Sequence, residues 1–213
     1  MAFVEDVARL FGASIADAEV VALLASHPHR VDKPSDGDQY VISKEHGFDL
    51  LFCEADSAPR RASQYRTLAA MFLFPAGTEK HQAFSGELPF GFSFHDNRQA
   101  LVDTRPPDRT WVNGRGRVPA TYSAPSSDSW RAELFNITAH YREDGSIRHF
   151  QASPPRAYTE VMAPPTWQEL ALTSGQKQAA IKLYMTEHRV NVGDAKRAID
   201  GYLDKLAGPP QST

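Results

Sequence analysis

The sequence lacks several features that mark common classes of protein. Its 213 residues include one cysteine, Cys53, which leaves no partner for an internal disulfide and too few thiols for a cysteine-rich zinc site. No apolar run approaches the roughly 18 residues that a membrane-spanning helix needs. The first six residues, MAFVED, carry acids where a secretory signal carries cations. We therefore expect a protein of the reducing cytoplasm that does not bind a membrane.

Recognisable catalytic and metal-binding motifs are also missing. The eight histidines show neither a HExxH spacing nor an accompanying cysteine set. Residues 91–95, GFSFH, lack the second glycine of a nucleophile elbow, and residues 113–117, NGRGR, lack the Lys-Ser/Thr pair that completes a P-loop. We therefore predict that the chain is not an enzyme and holds no cofactor and no metal. The alternative, an enzyme with an unrecognised site, centres on His95, Arg115 and Arg117.

Net charge is small overall but uneven along the chain. The formal charge of −3 gives no general attraction to nucleic acid, so no nucleic-acid partner is expected. Residues 1–60, however, hold 5 lysines and arginines against 11 aspartates and glutamates. These carboxylates either form a solvated face that keeps the protein soluble or bind a basic partner, because rows of carboxylates steer association. The residues that we assign to such a partner-binding surface are Asp36, Asp38, Glu45, Asp49, Glu54 and Asp56.

The hydrophobic pattern predicts two helices followed by strands. Apolar residues recur at helical spacing in residues 3–11, and a Ser14-to-Asp17 capping signal precedes a second apolar stretch. Two hairpins are predicted, one around Gly47 and one around the Asp-Gly pair at 144–145, since Asp-Gly between β-rich runs is a strong hairpin signal. Residues 65–74 are predicted as a buried strand, 95–102 as a helix capped by Asp96, and 113–129 as a loop with room for one strand. The fold class expected is α+β, with a mostly antiparallel sheet beside the N-terminal helices.

The sequence pattern changes near residue 160 from strand-like to proline-rich and then helical, which predicts two domains. Prolines at 154, 155, 164 and 165 form a semi-rigid spacer. Residues 166–169, TWQE, then form a capping box that opens a helical segment. We predict an α+β core domain over residues 1–160 and a proline-rich spacer with a C-terminal helical hairpin module over residues 161–213.

The helical tail matches part of a known family. Residues 175–200 place Lys177, Ile181, Lys182, Ala195 and Lys196 at positions that resemble the first two helices of the C-terminal domain of ribosomal protein L7/L12. In that family the lysine-bearing helices contact translation factors. The resemblance implies a protein-binding tail whose contact face holds Lys177, Lys182 and Lys196.

A second pattern lies in the predicted core. Residues 88–94, LPFGFSF, are followed by Arg98, Leu101 and Pro107, and Trp130 and an Asp-Gly hairpin come near the end of the core. This pattern resembles small α+β proteins that bacteria keep in the cytoplasm as immunity proteins against contact-delivered toxins. The resemblance implies a non-enzymatic protein that binds a cognate toxin and occludes its active site. The acidic residues assigned above predict that the toxin is basic around that site. The alternative is an adaptor that binds another protein through the L7/L12-like tail.

Overall fold

Alternating apolar residues and glycine-containing turns produce a large antiparallel sheet. The computed structural model describes residues 2–54 and 66–207. Its strands are β1 (Arg30–Val31), β2 (Asp38–Ser43), β3 (Phe48–Glu54), β4 (Arg66–Leu73), β5 (Arg109–Val112), β6 (Gly116–Val118), β7 (Ser127–Arg131), β8 (Asn136–Tyr141) and β9 (Ile147–Ser153). They form one sheet in the order β1-β2-β3-β4-β9-β8-β7-β5-β6, with every neighbouring pair antiparallel.

The helices lie at both ends of the chain and in its middle. They are α1 (Ala2–Arg9), α2 (Ala18–Ala25), α3 (Arg98–Thr104), α4 (Trp167–Leu172), α5 (Lys177–His188) and α6 (Val192–Ala207). The predicted α+β class with an antiparallel sheet, N-terminal helices and C-terminal helices is therefore confirmed.

One face of the sheet carries the hydrophobic core. Phe48, Leu50 and Phe52 alternate along β3 and are fully buried, together with Val4 of α1 and Val20 of α2. Burial of each such phenylalanine or leucine side chain contributes about 2–3 kcal/mol, so α1 and α2 are held mainly by this apolar contact. We call this side of the sheet the core face and the opposite side the outer face.

Both predicted hairpins form. The first joins β2 to β3 with Gly47 at φ +70°, and the second joins β8 to β9 with Gly145 at φ +80°. The predicted strand at 65–74 is β4; Tyr65 lies outside the described residues. The prediction of Asp96 as the cap of the third helix is wrong, because the Asn97 side chain accepts from the Ala100 amide at 3.0 Å and α3 starts one residue later.

Strand β5 was not predicted, whereas β6 is the one strand for which the predicted loop at 113–129 left room. They pair with each other, and β5 also pairs with β7, so the stretch expected to be mostly loop contributes one full strand and the start of another. Asp17 precedes α2 without a side-chain capping bond. Its carboxylate accepts from the Ser14 amide instead. The Ser14-to-Asp17 signal therefore produces a turn before α2 and does not cap the helix.

The chain divides into two compact units, Met1–Met162 and Ala163–Thr213. In the second unit the Thr166 hydroxyl accepts from the Glu169 amide, and the Glu169 carboxylate accepts from the Thr166 amide at 2.7 Å, which is the expected capping box. The Trp167 ring meets Tyr184 of α5 and Tyr202 of α6 at centroid distances of 4.9 and 5.2 Å. An aromatic cluster therefore joins α4, α5 and α6.

Candidate functional site

Three of the six carboxylates assigned from sequence come together at one end of the β2–β3 hairpin. Asp38 begins β2, Glu54 ends β3, and Asp36 lies in the turn that precedes β2. We call Asp36, Asp38 and Glu54 the acidic end. Asp36 is exposed, whereas Asp38 and Glu54 are half-buried. The strand ends place these residues together because β2 and β3 run antiparallel, so the start of one lies beside the end of the other.

Arg66 organises the acidic end. Its side chain is 8% exposed, and its guanidinium donates from Nε to the Gly37 carbonyl at 3.1 Å and from Nη2 to Glu54 Oε1 at 3.1 Å. Two backbone bonds between Ser35 and Asp38, at 2.8 and 2.9 Å, close the turn. Asp36 itself has φ +50°, a conformation that aspartate tolerates better than most residues. The carboxylates of Asp36 and Asp38 are thus presented by a fixed turn.

The other three assigned carboxylates do not join this group. Asp49 was expected at the surface, but it is 6% exposed and bonds to His81, so it cannot face a partner. Glu45 is exposed in the β2–β3 turn, at the opposite end of the hairpin. Asp56 lies outside the described residues. The sequence did not reveal that Asp49 is buried, because its partner His81 is 32 residues away along the chain.

Asp49 and His81 form a buried pair joined by one hydrogen bond. His81 Nε2 lies 2.9 Å from Asp49 Oδ1, and His81 Nδ1 lies 3.1 Å from the Thr78 carbonyl, which can only accept. Burial raises the pKa of Asp49, and the hydrogen bond with His81 opposes this only in part. The Phe74 ring stacks on His81 at 4.2 Å. The pair therefore fixes residues 78–81 against β3.

The single thiol lies on the outer face beside the acidic end. Cys53 pairs with Asp38 across the β2–β3 ladder. Burial, a hydrogen bond with the Asp38 carboxylate and the charge of that carboxylate raise the pKa of Cys53 to about 11. Since the thiolate is the nucleophilic form, this environment works against a catalytic role for Cys53.

A second buried charged group lies between α3 and β7. Asp128 is fully buried and accepts from Arg98 Nε at 2.7 Å, from the Thr110 hydroxyl and from the Tyr141 hydroxyl at 3.0 Å. Arg98 also donates to the carbonyls of Ala120 and Tyr122, both at 2.7 Å. Burial and the Asp128 charge raise the pKa of Tyr141. Arg98 therefore ties residues 120–122 to the buried carboxylate of the sheet.

His140 and His149 form a stacked pair on the outer face. They face each other across β8 and β9 with ring centroids 4.5 Å apart. Burial lowers the pKa of His149 to about 3, with a smaller contribution from His140, and burial also lowers the pKa of His140. His140 Nε2 lies 3.1 Å from Gln151 Oε1, whereas His149 Nδ1 has no hydrogen-bond partner in the described structure. Both rings are therefore uncharged at neutral pH.

The three residues of the alternative enzyme site do not all line the cavity beside His95. His95 lines a cavity of about 410 Å³ with apolar neighbours such as Phe84, Leu88 and Phe92, and neither arginine lines that cavity. Arg117 donates to the carbonyls of Glu160 and Asp108, and the Arg115 guanidinium lies 5.3 Å from the centre of the Tyr122 ring.

The three lysines assigned to the tail have different surroundings. Lys177 Nζ lies 2.6 Å from Asp200 Oδ1 and so bridges α5 and α6. Lys182 and Lys196 are exposed. At about 100° per residue, Lys182 lies roughly 140° around α5 from Lys177, so these two lysines do not share one helix face. The contact face that the L7/L12 resemblance implies is therefore divided in this unit.

Within residues 2–54 and 66–207, no three histidine, cysteine, aspartate or glutamate side chains are grouped closely enough to hold a metal ion. The helices of the same described ranges include none that is both long and apolar enough to cross a membrane.

Comparison with known proteins gives little guidance. No family model matches the chain, and no curated protein matches it. One solved structure, an extracellular protein containing a SCP domain from Bacillus anthracis str. Ames, aligns with 86% of this chain and 60% of its own length, at 10% sequence identity and a TM-score of 0.44. This chain thus spans about 60% of that protein, and a likeness at this level supports no conclusion about fold or function.

Proposed function

We propose that this chain is a non-enzymatic immunity protein that binds a cognate bacterial toxin in the cytoplasm and occludes its active site. The observation that carries the proposal is the acidic end, where a buried arginine and a closed turn hold Asp36 and Asp38 in fixed, solvent-facing positions. A rigid group of carboxylates suits a basic active site, because little ordering entropy is lost on binding. The LPFGFSF pattern and the absence of a recognised catalytic motif in the sequence agree with this function.

The roles of the acidic residues differ within this proposal. Asp36 and Asp38 pair with cations of the toxin, since they are the two carboxylates of the acidic end that reach solvent and make no ion pair with this chain's own described residues. Glu54 is already paired with Arg66 and serves to hold the turn. Asp49 has a structural role through His81 and contributes nothing to the surface.

The proposal is tested by capture of a partner followed by neutralisation. The tagged full-length protein is recovered from its native cells, and bound proteins are identified by mass spectrometry. We expect one near-stoichiometric protein that is toxic when expressed alone and harmless when co-expressed with this chain. Recovery of no such toxin, or of one that remains toxic on co-expression, would overturn the proposal.

The acidic end is tested with the same toxin. Reversal of Asp36 and Asp38 to lysine should raise the dissociation constant by at least a hundredfold, because each reversal replaces an attraction by a repulsion. The matched control is reversal of the exposed residues Glu133 and Glu143 to lysine, which changes the net charge equally and should leave the affinity within about threefold. Equal effects of the two pairs would show that only net charge matters.

The second candidate function is an adaptor that binds through the tail. It is favoured by the exposure of Lys182 and Lys196 on a separate compact unit. Reversal of these two lysines to glutamate in the full chain should abolish partner capture if the tail is the binding surface. The immunity function predicts unchanged capture and neutralisation in the same variant.

A further inference from the structure

After β9 ends, the chain crosses back over the outer face of the sheet. We call residues 156–162 the strap. Asn136 Nδ2 of β8 donates to the Arg156 carbonyl at 3.1 Å, and Arg117 Nη1 of β6 donates to the Glu160 carbonyl at 3.2 Å. The strap therefore covers the outer face from β8 to the edge strand β6.

The side chains of the strap alternate between the sheet and solvent. Tyr158 and Glu160 are half-buried, whereas Thr159 and Val161 are exposed, and Val161 is 89% exposed. This period of two is that of an extended strand. A segment that packs to bury apolar surface would turn Val161 inward, but here a phenol and a carboxylate face the sheet. The strap therefore lies on the sheet as an extended peptide ligand does, with alternate side chains in contact.

Arg109 of β5 contacts both inward side chains of the strap. Its guanidinium carbon lies 4.1 Å from the centre of the Trp111 ring and 5.5 Å from the centre of the Tyr158 ring, both within cation–π distance. Its Nη2 lies 2.9 Å from Glu160 Oε1. The Arg109 side chain is 13% exposed, so salt screens these contacts less than it screens surface pairs. Arg109 and Trp111 thus suit an aromatic residue followed two positions later by an acidic residue.

The sheet residues around the strap are mainly cationic. Arg109 and Arg117 contact the strap, and Arg131 Nη2 donates to the Arg156 carbonyl at 3.3 Å. The carboxylate beside these guanidiniums is that of Asp108, which accepts from the Arg131 amide at 2.7 Å. The strap carries one arginine and one glutamate, so its own charges cancel. A more acidic segment would therefore complement this surface better than the strap does.

The strap leaves part of the hydrogen-bonding capacity of this surface unused. Arg109 Nε and Asn136 Oδ1 are buried and have no protein partner among the residues that the structure describes. The pair with Glu160 joins Nη2 of Arg109 to Oε1, so Nε takes no part in it. A carboxylate in the plane of the guanidinium would contact Nε and Nη2 together, the bidentate geometry that arginine favours. An external segment can therefore make contacts that the strap does not make.

We propose that this part of the outer face is a binding site for an extended acidic segment of a partner protein, and that the strap occupies the site in the free chain. The partner segment carries an aromatic residue and, two positions later, an aspartate or glutamate, which take the places of Tyr158 and Glu160. Because the strap is tethered at Ser153, it competes at an effective concentration on the order of millimolar. The site does not depend on a toxin, since the acidic end lies on β2 and β3 and this site on β5 to β8.

The test is fluorescence anisotropy with a labelled synthetic peptide of residues 154–164, PPRAYTEVMAP. A full-length strap variant, Tyr158→Ala with Glu160→Ala, should bind this peptide at least about tenfold more tightly than the wild type, because the tethered competitor no longer fills the site. The matched control, Thr159→Ala with Val161→Ala, changes exposed strap residues and should bind the peptide as the wild type does. Circular dichroism checks folding, and Glu160→Gln alone, a milder change, should still give a gain of about threefold or more.

Two further measurements test which chemistry the site takes. Arg109→Gln added to the strap variant should weaken peptide binding at least about tenfold, since it removes the contact with both the ring and the carboxylate. A peptide with Arg156→Glu should bind the strap variant at least about threefold more tightly than the original peptide, because it adds a carboxylate to a cationic surface. A folded strap variant that binds no more tightly than the wild type overturns the proposal. Binding that is unaffected by Arg109→Gln, or weakened by Arg156→Glu in the peptide, overturns it too.

Discussion

The backbone packing around Gly47 leaves no room for a side chain. Its φ is +70°, and a Cβ atom there would lie 2.3 Å from the Phe84 amide nitrogen and 2.6 Å from the Gln82 carbonyl oxygen. The chain after β4 crosses the β2–β3 turn at this point, so neither neighbour can move without shifting backbone. Gly47→Ala should therefore lower the free energy of unfolding of the first unit by about 3 kcal/mol or more in total. Of this loss, the left-handed conformation alone accounts for roughly 1–2 kcal/mol.

The control for this prediction is Gly145→Ala, measured by urea unfolding under the same conditions. Gly145 has φ +80°, but nothing lies within 4 Å of its added Cβ. This variant should lose only the conformational part, about 1–2 kcal/mol. Equal losses in the two variants would mean that the close approach at Gly47 has no energetic consequence.

His149 should make stability depend on pH. Its folded pKa is about 3, below the ordinary value of 6.5, so its contribution is fully present above about pH 6.5 and is lost as the pH falls towards 3. The titratable and charged groups near it are His140, Arg148 and Arg142, and each of them lowers the pKa of His149. We expect the free energy of unfolding to fall by up to about 1.4 kcal/mol for each pH unit in this window.

His149→Phe removes the titrating ring, keeps the contact with Phe72 and loses no hydrogen bond at Nδ1. Its unfolding free energy should therefore decline less steeply than that of the wild type between pH 6.5 and pH 4.5, by about 1 kcal/mol per pH unit. The exposed control His95→Gln should follow the wild-type profile. A His149→Phe profile that coincides with the wild type would contradict the assignment.

Residue-scale contacts are also where sequence reasoning reaches its limit. The clustering of acids in residues 1–60 was readable, and it located Asp36, Asp38 and Glu54. The burial of Asp49 depends on His81, and the order of the acidic end depends on Arg66, which reaches Gly37 and Glu54 from 29 and 12 residues away. No local pattern encodes such contacts, because they arise when separate strands are brought side by side.

At the scale of elements, the capping box of α4 gives a direct prediction. Thr166→Ala removes the hydroxyl that accepts from the Glu169 amide at 3.3 Å, so one helix donor loses its partner. We expect a loss of about 1 kcal/mol from the stability of the second unit, seen in thermal unfolding by far-ultraviolet circular dichroism. Thr173→Ala, at the other end of α4, should change it by a few tenths of a kcal/mol. The reverse order would show that the cap is not used.

Elements with local signals were predicted and elements without them were not. Gly47 and the Asp-Gly turn specify the two hairpins through residues adjacent in sequence. Strand β5 has four residues and β6 has three, and β5 depends on pairing with β7 about 18 residues further on. These two strands therefore form because of the sheet to which they add, and the hydrophobic pattern of residues 109–118 is too short to define either of them.

At the scale of the whole molecule, each unit has a buried core of its own. The first is centred on residues such as Phe48, Phe150 and Trp130, and the second on Ala180, Ala195 and Ile199. Separate cores favour separate unfolding transitions, because cooperativity follows the contacts within one core. Differential scanning calorimetry should therefore resolve two transitions, with the larger enthalpy in the first unit since enthalpy scales with the number of residues.

Two matched cap deletions assign these transitions. Asn97 caps α3 in the first unit as Thr166 caps α4 in the second, and each side chain accepts one backbone amide at its helix start. Asn97→Ala should lower the midpoint temperature of only the transition with the larger enthalpy, by about 2–4 °C. Thr166→Ala should lower that of only the other transition, by about 4–8 °C, because a given loss of free energy changes the midpoint of a small unit more than that of a large one. A single transition that both variants lower equally would mean that the chain unfolds as one cooperative structure.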